Sequence, residues 1–144
     1  MIEIRSPKTK EEWDKYYQLR WEILRKPWNQ PLGSEKDSIE DTSFHFMAIN
    51  EKNEVLGVCR LQKNSETEGQ IRFMAVAEKA QGKGIGKLLV KAAEDKSKEL
   101  GIKTITLQAR ENAVAFYKSC NYTVIKKTFL LFNSIQHYLM TKNL

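Results

Sequence analysis

Apolar positions along the 144-residue chain change period several times, and each change marks an element. A short strand is predicted over residues 2–5, stopped by Ser6-Pro7. Thr9 and Glu12 then form a capping box, and Trp13, Tyr16, Tyr17, Arg20, Trp21 and Leu24 recur at helical spacing, which predicts a helix with a core-packing aromatic stripe. Between Arg25 and Ser43 the period dissolves among Pro27, Pro31 and Gly33 and an acidic cluster of Glu35, Asp37, Glu40 and Asp41. This stretch is too long for a passive connector, and we read it as a loop or broken short helix shaping the substrate side.

Alternating or continuous apolar runs predict three strands at residues 44–49, 54–61 and 70–76, and the polar turns between them are short enough for an antiparallel meander. A helix follows from Ile85 to Leu100, with Leu88, Leu89, Ala92 and Ala93 on one face and Gly101 as a left-handed cap. A strand at residues 103–108 leads to a helix begun by Asn112, where Ala113, Phe116, Tyr117 and Cys120 share a face. Two strands near 122–127 and 136–142 close the chain, joined by the apolar run Phe129-Leu130-Leu131-Phe132, whose pattern fits a pocket lining, a core segment or an interface.

Composition narrows the class. The hydrophobic fraction of 41% with 29% charged residues is that of a folded globular protein, and the length predicts a single domain over residues 1–144. No apolar run reaches the roughly 20 residues of a membrane span and no signal core opens the chain, so a cytoplasmic protein without membrane partners is expected. Cys59 and Cys120 lack C-x-x-C neighbours and sit in apolar patterns, so reduced thiols are expected and no metal. The net charge of +6 is concentrated around Lys79, Lys83, Lys87 and Lys91 without interleaved aromatic residues, which argues against nucleic acid and for a smaller anion.

Those lysines surround Gln81-Gly82-Lys83-Gly84-Ile85-Gly86, which lies between an apolar strand and a helix. A glycine-rich turn opening a helix gathers unpaired N–H groups and the positive end of the helix dipole, so a phosphate should bind there. The spacing is wrong for a Walker A loop, which needs four residues between its glycines and then Lys-Ser/Thr. It is also wrong for a dinucleotide fingerprint, because the loop reads G-x-G-x-G and no acidic residue ends the next strand.

Gln81, Gly84 and Gly86 satisfy Gln/Arg-x-x-Gly-x-Gly/Ala, and the segment from Asn112 to Tyr122 resembles Asn-x-x-Ala-x-x-Phe-Tyr-x-x-x-Gly-Phe. Both signatures, in this order, resemble the GNAT superfamily of N-acetyltransferases. The resemblance implies an α/β (α+β) GNAT fold, a mixed twisted sheet of about six or seven strands flanked by three or four helices. It implies an N-acetyltransferase that moves an acetyl group from acetyl-CoA to a primary amine by direct attack in a ternary complex, with room for a homodimer. A GNAT-fold acyl-CoA sensor or interaction module without turnover is the alternative.

In that family the strands on either side of the glycine-loop helix splay apart to admit the pantetheine arm. Transferred to this chain, Met74, Ala75 and Val76 offer backbone groups to pantetheine, and Gln81, Gly82, Lys83, Gly84, Ile85, Gly86 and Lys87 meet the pyrophosphate, with Asn112 near the cofactor arm. Tyr117 stands where the family places the acid that protonates the leaving thiolate, and a phenol is protonated at neutral pH. Many members carry a basic glutamate on the strand before the loop. Here that position holds Arg72, which cannot accept a proton and is read as a contact for an acidic group of the substrate. Candidates for the base are Glu68, His45, Glu40, Asp41 and His137, or a water relay; Glu68 is taken as the catalytic one and His45 as a substrate contact.

Overall fold

The structure, a computed structural model, describes all 144 residues. Strand β1 (Glu3–Arg5) leads into helix α1 (Lys10–Leu24), whose first turn is capped by the Thr9 hydroxyl accepting from the Glu12 N–H at 3.1 Å. The Glu12 carboxylate reaches back to the Lys8 N–H at 2.7 Å and clasps Arg5, a small variation on the expected box. Residues between α1 and the next strand make two 3₁₀ turns, Lys26–Trp28 and Glu40–Thr42.

The meander follows as β2 (Phe44–Ile49), β3 (Val55–Lys63) and β4 (Glu68–Val76). Helix α2 (Ile85–Glu99) then precedes β5 (Thr104–Arg110). Helix α3 is short (Val114–Ser119), because Asn112 lies in a preceding 3₁₀ turn, Glu111–Ala113, and does not cap it as the sequence suggested. The chain ends in the hairpin β6 (Thr123–Leu131) and β7 (Ile135–Asn143). Most of the apolar run at 129–132 therefore belongs to β6, which outlasts its predicted end.

All seven strands form one sheet in the order β1-β2-β3-β4-β5-β7-β6, antiparallel except for β4 with β5. One face packs on α1 through Tyr16, Leu19 and Leu24 against Met47, Val58 and Ala75. The other face packs on α2 and α3, where Leu89, Ala93 and Tyr117 meet Leu61, Ile105 and Met140. Burial on both faces explains why the central strands read as continuous apolar runs.

Under α1 the core contains charge. Arg20 and Arg60 are fully buried, and both donate to the Glu40 carboxylate, at 2.9 and 2.8 Å. Arg60 also holds Asp37 through two bonds of 2.7 and 2.9 Å. These pairs pin the acidic stretch of the long loop onto the sheet, which accounts for an ordered path without helix or strand.

Candidate active site

The β4–β5 pairing runs only from Glu68↔Thr104 to Ile71↔Leu107. Beyond it the strands diverge, because β4 carries a bulge in which Cys59 of β3 faces both Phe73 and Met74. Phe73 takes a left-handed backbone (φ 55), an unfavourable state for a bulky residue that the bulge imposes. Since β3 engages only alternate backbone groups on one side of β4, the others in residues 72–76 face an open edge.

The gap opens into a cavity of about 980 Å³ bounded by β4, β5, the glycine loop, α3 and the β6–β7 hairpin. That volume is at the upper end for ligand sites, about 300–1,000 Å³, enough for an extended cofactor arm and a second small molecule.

One end of the cavity is built for an anion. Gly82 and Gly84 have φ near +80°, which lets the loop turn its N–H groups inward. The first intrahelical bond of α2 is Leu88 N–H to Gly84 C=O, so the N–H groups of Ile85, Gly86 and Lys87 have no intrahelical acceptor. No acidic residue stands in that first turn. Gly86 meets Phe116 of α3, whose ring would lie 2.8 Å from an added Cβ, so the glycine sets how closely the two helices approach. Lys79 is paired with Glu54 and Lys91 with Asp95, whereas Lys87 lines the cavity and Lys83 stands in the loop.

Met74, Val76, Gln81, Gly82, Gly84, Ile85, Gly86, Lys87, Asn112 and Tyr117 all line the cavity, as does Arg72. Ala75 instead turns its side chain under α1. Tyr117 is buried at the cavity wall, and burial raises its phenol above the ordinary value, with no hydrogen bond contributing. Its O–H is thus protonated and uncommitted.

Two expected site residues lie elsewhere. Glu68 sits in the paired half of β4, where no gap exists, and its carboxylate accepts from Asn64 at 3.0 Å outside the cavity. His45 is buried beneath α1, with Nδ1 2.8 Å from the Tyr16 hydroxyl and Nε2 2.7 Å from the Glu40 carbonyl. It belongs to the packing of that helix. Glu40 is likewise consumed by Arg20 and Arg60.

His137, one of several bases open on sequence, does reach the cavity. Its ring stacks on Phe129 at 4.4 Å, and Nδ1 lies 3.0 Å from the Ile135 carbonyl, which can only accept. The proton therefore resides on Nδ1 and leaves a lone pair on Nε2. Burial lowers its pKa from 6.5, and Arg110 and Arg25 lower it further, so the ring is neutral at pH 7.

Phe129 and Leu131 line the cavity, which selects the pocket-lining reading of that apolar run for these two residues, and Arg25 and Arg110 line it although the sequence pattern did not mark them. Arg110 lies past the predicted end of its strand, and the signal for it is general: ligands gather at the carboxyl ends of parallel strands. Arg25 falls where the helical period ends, and nothing in the pattern marks it.

Comparison with known proteins agrees with this architecture. A family model described as the Acetyltransferase (GNAT) family matches residues 13–122. The uncharacterized N-acetyltransferase YjcF of Bacillus subtilis is 28% identical over 137 residues, covering 94% of this chain and 96% of that protein. Among solved structures, a GNAT family acetyltransferase from Elizabethkingia anophelis with acetyl-CoA bound has a TM-score of 0.72 at 20% identity, covering 100% of this chain and 97% of the other. An aminoglycoside 6'-N-acetyltransferase complexed with coenzyme A reaches 0.82 at 15% identity, covering 99% and 96%. With a family match over most of its length, the chain belongs to the GNAT acetyltransferase family and is an acyltransferase.

Proposed function

We propose that the protein acetylates the primary amine of a small molecule or exposed protein amine, binding acetyl-CoA and the acceptor together in the β4–β5 gap. The observation that carries this reading is the gap itself, an open strand edge leading to an unpartnered helix N-terminus on one side and to a neutral histidine on the other. Acetyl-CoA, when bound, supplies an acetyl group activated as a thioester. The glycine loop and Lys87 hold its phosphates, and the open edge of β4 pairs with the amides of its arm.

Nε2 of His137 takes the proton of the attacking amine, directly or through one water. N–H groups at the open edge near Val76 receive the charge that develops on the carbonyl oxygen. Tyr117 gives its phenolic proton to the departing sulfur as the C–S bond breaks and the N–C bond forms. The neutral state of His137 and the protonated state of Tyr117 at pH 7 suit these assignments.

The test joins calorimetric titration with acetyl-CoA to release of free CoA in the presence of amines. Wild type should bind and turn over, and Tyr117→Phe should bind equally while turnover falls roughly 10²-fold or more. A folded wild-type protein that ignores acetyl-CoA would overturn the reading.

A further inference from the structure

The acceptor half of the cavity carries more positive charge than the protein neutralises. Arg25, Arg72 and Arg110 all face it. The carboxylates that form salt bridges in this region, Asp37 and Glu40, bind Arg20 and Arg60, and Arg72 gets only a 3.4 Å contact with Asp37. Arg25 and Arg110 have no carboxylate partner at all. Their polar contacts are main-chain oxygens: Arg25 donates to Ser34 and Leu24, and Arg110 donates to the same Leu24 carbonyl, at 3.0 and 3.1 Å respectively for the shared atom.

Two half-buried guanidiniums thus stand side by side on one oxygen. The simplest alternative is that they cap α1, whose last residue is Leu24. The carboxyl end of a helix offers only about half a negative charge, and capping needs one cation. A second guanidinium brought to the same point, against the repulsion of the first, is unexplained by capping. Both lie over rings, Arg25 over Phe73 and Phe132 at 5.6 Å and Arg110 over Trp28 at 4.6 Å, and their bonds to main-chain oxygens use Nε and Nη1 of Arg25 and Nη2 of Arg110, which leaves the remaining N–H groups without a protein acceptor.

The geometry points to an acceptor that carries an anionic group, a carboxylate or phosphate, held by Arg25 and Arg110 with Arg72 at the rim. This rests on the acetyltransferase reading above and names its substrate class. Arg110 is the cross-strand partner of His137, so an anion on Arg110 places the amine of the same molecule, a few bonds away, at the base. Amino acids and phosphorylated amino sugars have this spacing, and a bidentate guanidinium contact suits either anion.

The experiment compares matched acceptors with wild-type protein and acetyl-CoA, following free CoA: amino acids against their carboxamides, and glucosamine 6-phosphate against glucosamine. The anionic member of at least one pair should have a kcat/KM higher by about tenfold or more, as expected for charge-assisted hydrogen bonds. The pair that responds separates carboxylate from phosphate. Arg110→Gln and Arg25→Gln should reduce that ratio toward one, chiefly through KM, with acetyl-CoA affinity unchanged. Equal or better use of the neutral members would overturn the inference while leaving the acetyltransferase standing.

If acetyl-CoA binds but no amine is acetylated, the proposed function fails, and titration of the CoA-saturated protein with the same amino acids and with inorganic phosphate decides the pocket separately. Binding lost in Arg110→Gln would sustain it, and absence of any binding would sink it. A circular dichroism melt of each variant, required to match wild type, excludes unfolding as the cause.

Discussion

Arg110 and His137 face each other across the β5–β7 ladder, so a permanent cation lies beside the imidazole proposed as the base. Burial is the largest influence on His137, and the cation adds to it. Both disfavour the imidazolium. A base that must be neutral then works above its own pKa, which lies below 6.5. With the ionisation of the free acceptor amine corrected for, we expect kcat/KM to rise with pH along an acidic limb centred below 6.5 and to hold through neutrality. His137→Asn should lower kcat by about 10² and erase the limb. A limb that persists in the variant would assign it to another group.

Burial raises Tyr117 well past the ordinary phenol value. Its acid form therefore persists to high pH, and no falling limb from loss of that proton is expected up to about pH 10, the ordinary phenol value. Because the hydroxyl makes no internal hydrogen bond, Tyr117→Phe removes no structural partner. Its unfolding free energy from denaturant titration should match wild type within about 0.5 kcal/mol. A large loss of stability would mean that the phenol is structural.

The glycine loop offers a test that separates packing from chemistry. A Cβ at Gly86 would come within 2.8 Å of the Phe116 ring, which also lines the cavity. Gly86→Ala gains up to about 1 kcal/mol of helix propensity but forces that ring to move. Stability should change little while acetyl-CoA affinity falls several-fold by calorimetry. At Gly84 the space is open, yet φ is +82°, so Gly84→Asp combines backbone strain with a negative charge at the phosphate position. It should abolish binding in a protein that still folds.

How much of this was legible beforehand follows from where the signals are local. The loop from Gln81 to Gly86 is written in consecutive residues, and backbone torsions of single glycines realise it. Gly101 takes the left-handed cap that the sequence assigned it. Strand β2 has the predicted limits because its apolar run is bounded by polar residues on both sides. The acceptor half was hidden, since Arg25, Arg110 and His137 come from three elements distant in sequence and meet only once the β6–β7 hairpin reaches the turn that follows α1. Phe132, at the hairpin tip with φ 52, makes that contact by lying against Trp28 and Arg25. Glu68 misled because its carboxylate is chemically suited to a base, and only the register with β5 shows that it lies in the paired half of β4 and not at the open end.

Acid should weaken the fold over two separate pH windows. His45 and His137 are both held below 6.5, chiefly by burial, so the unfolded chain binds more protons as the pH falls. Their contribution is complete above about 6.5 and declines as pH drops toward their native values. The guanidinium of Arg60 holds Asp37 at about 2, against 3.8 for the free group. That contribution is complete above about 4 and is lost as pH approaches 2. Denaturant midpoints should therefore slope downward first below pH 6.5 and again below pH 4. His45→Gln should flatten the first slope, and Asp37→Asn the second.

Glu40 is the residue on which the α1 side of the sheet depends most. Its carboxylate accepts from two fully buried guanidiniums, and also from the Tyr17 hydroxyl and the Asp37 N–H. The Nε atoms of Arg20 and Arg60 already lack partners, so these side chains have little left to satisfy them. Glu40→Ala would leave buried positive charge without its counterion, at a cost of about 3–5 kcal/mol. The exposed pair of Glu51 with the chain terminus is the control, and Glu51→Ala should stay within about 0.5 kcal/mol. Denaturant unfolding of the two variants side by side measures the difference. Equal midpoints would mean that solvent reaches Arg20 and Arg60 freely, and that the long loop is held to the sheet by something other than this carboxylate.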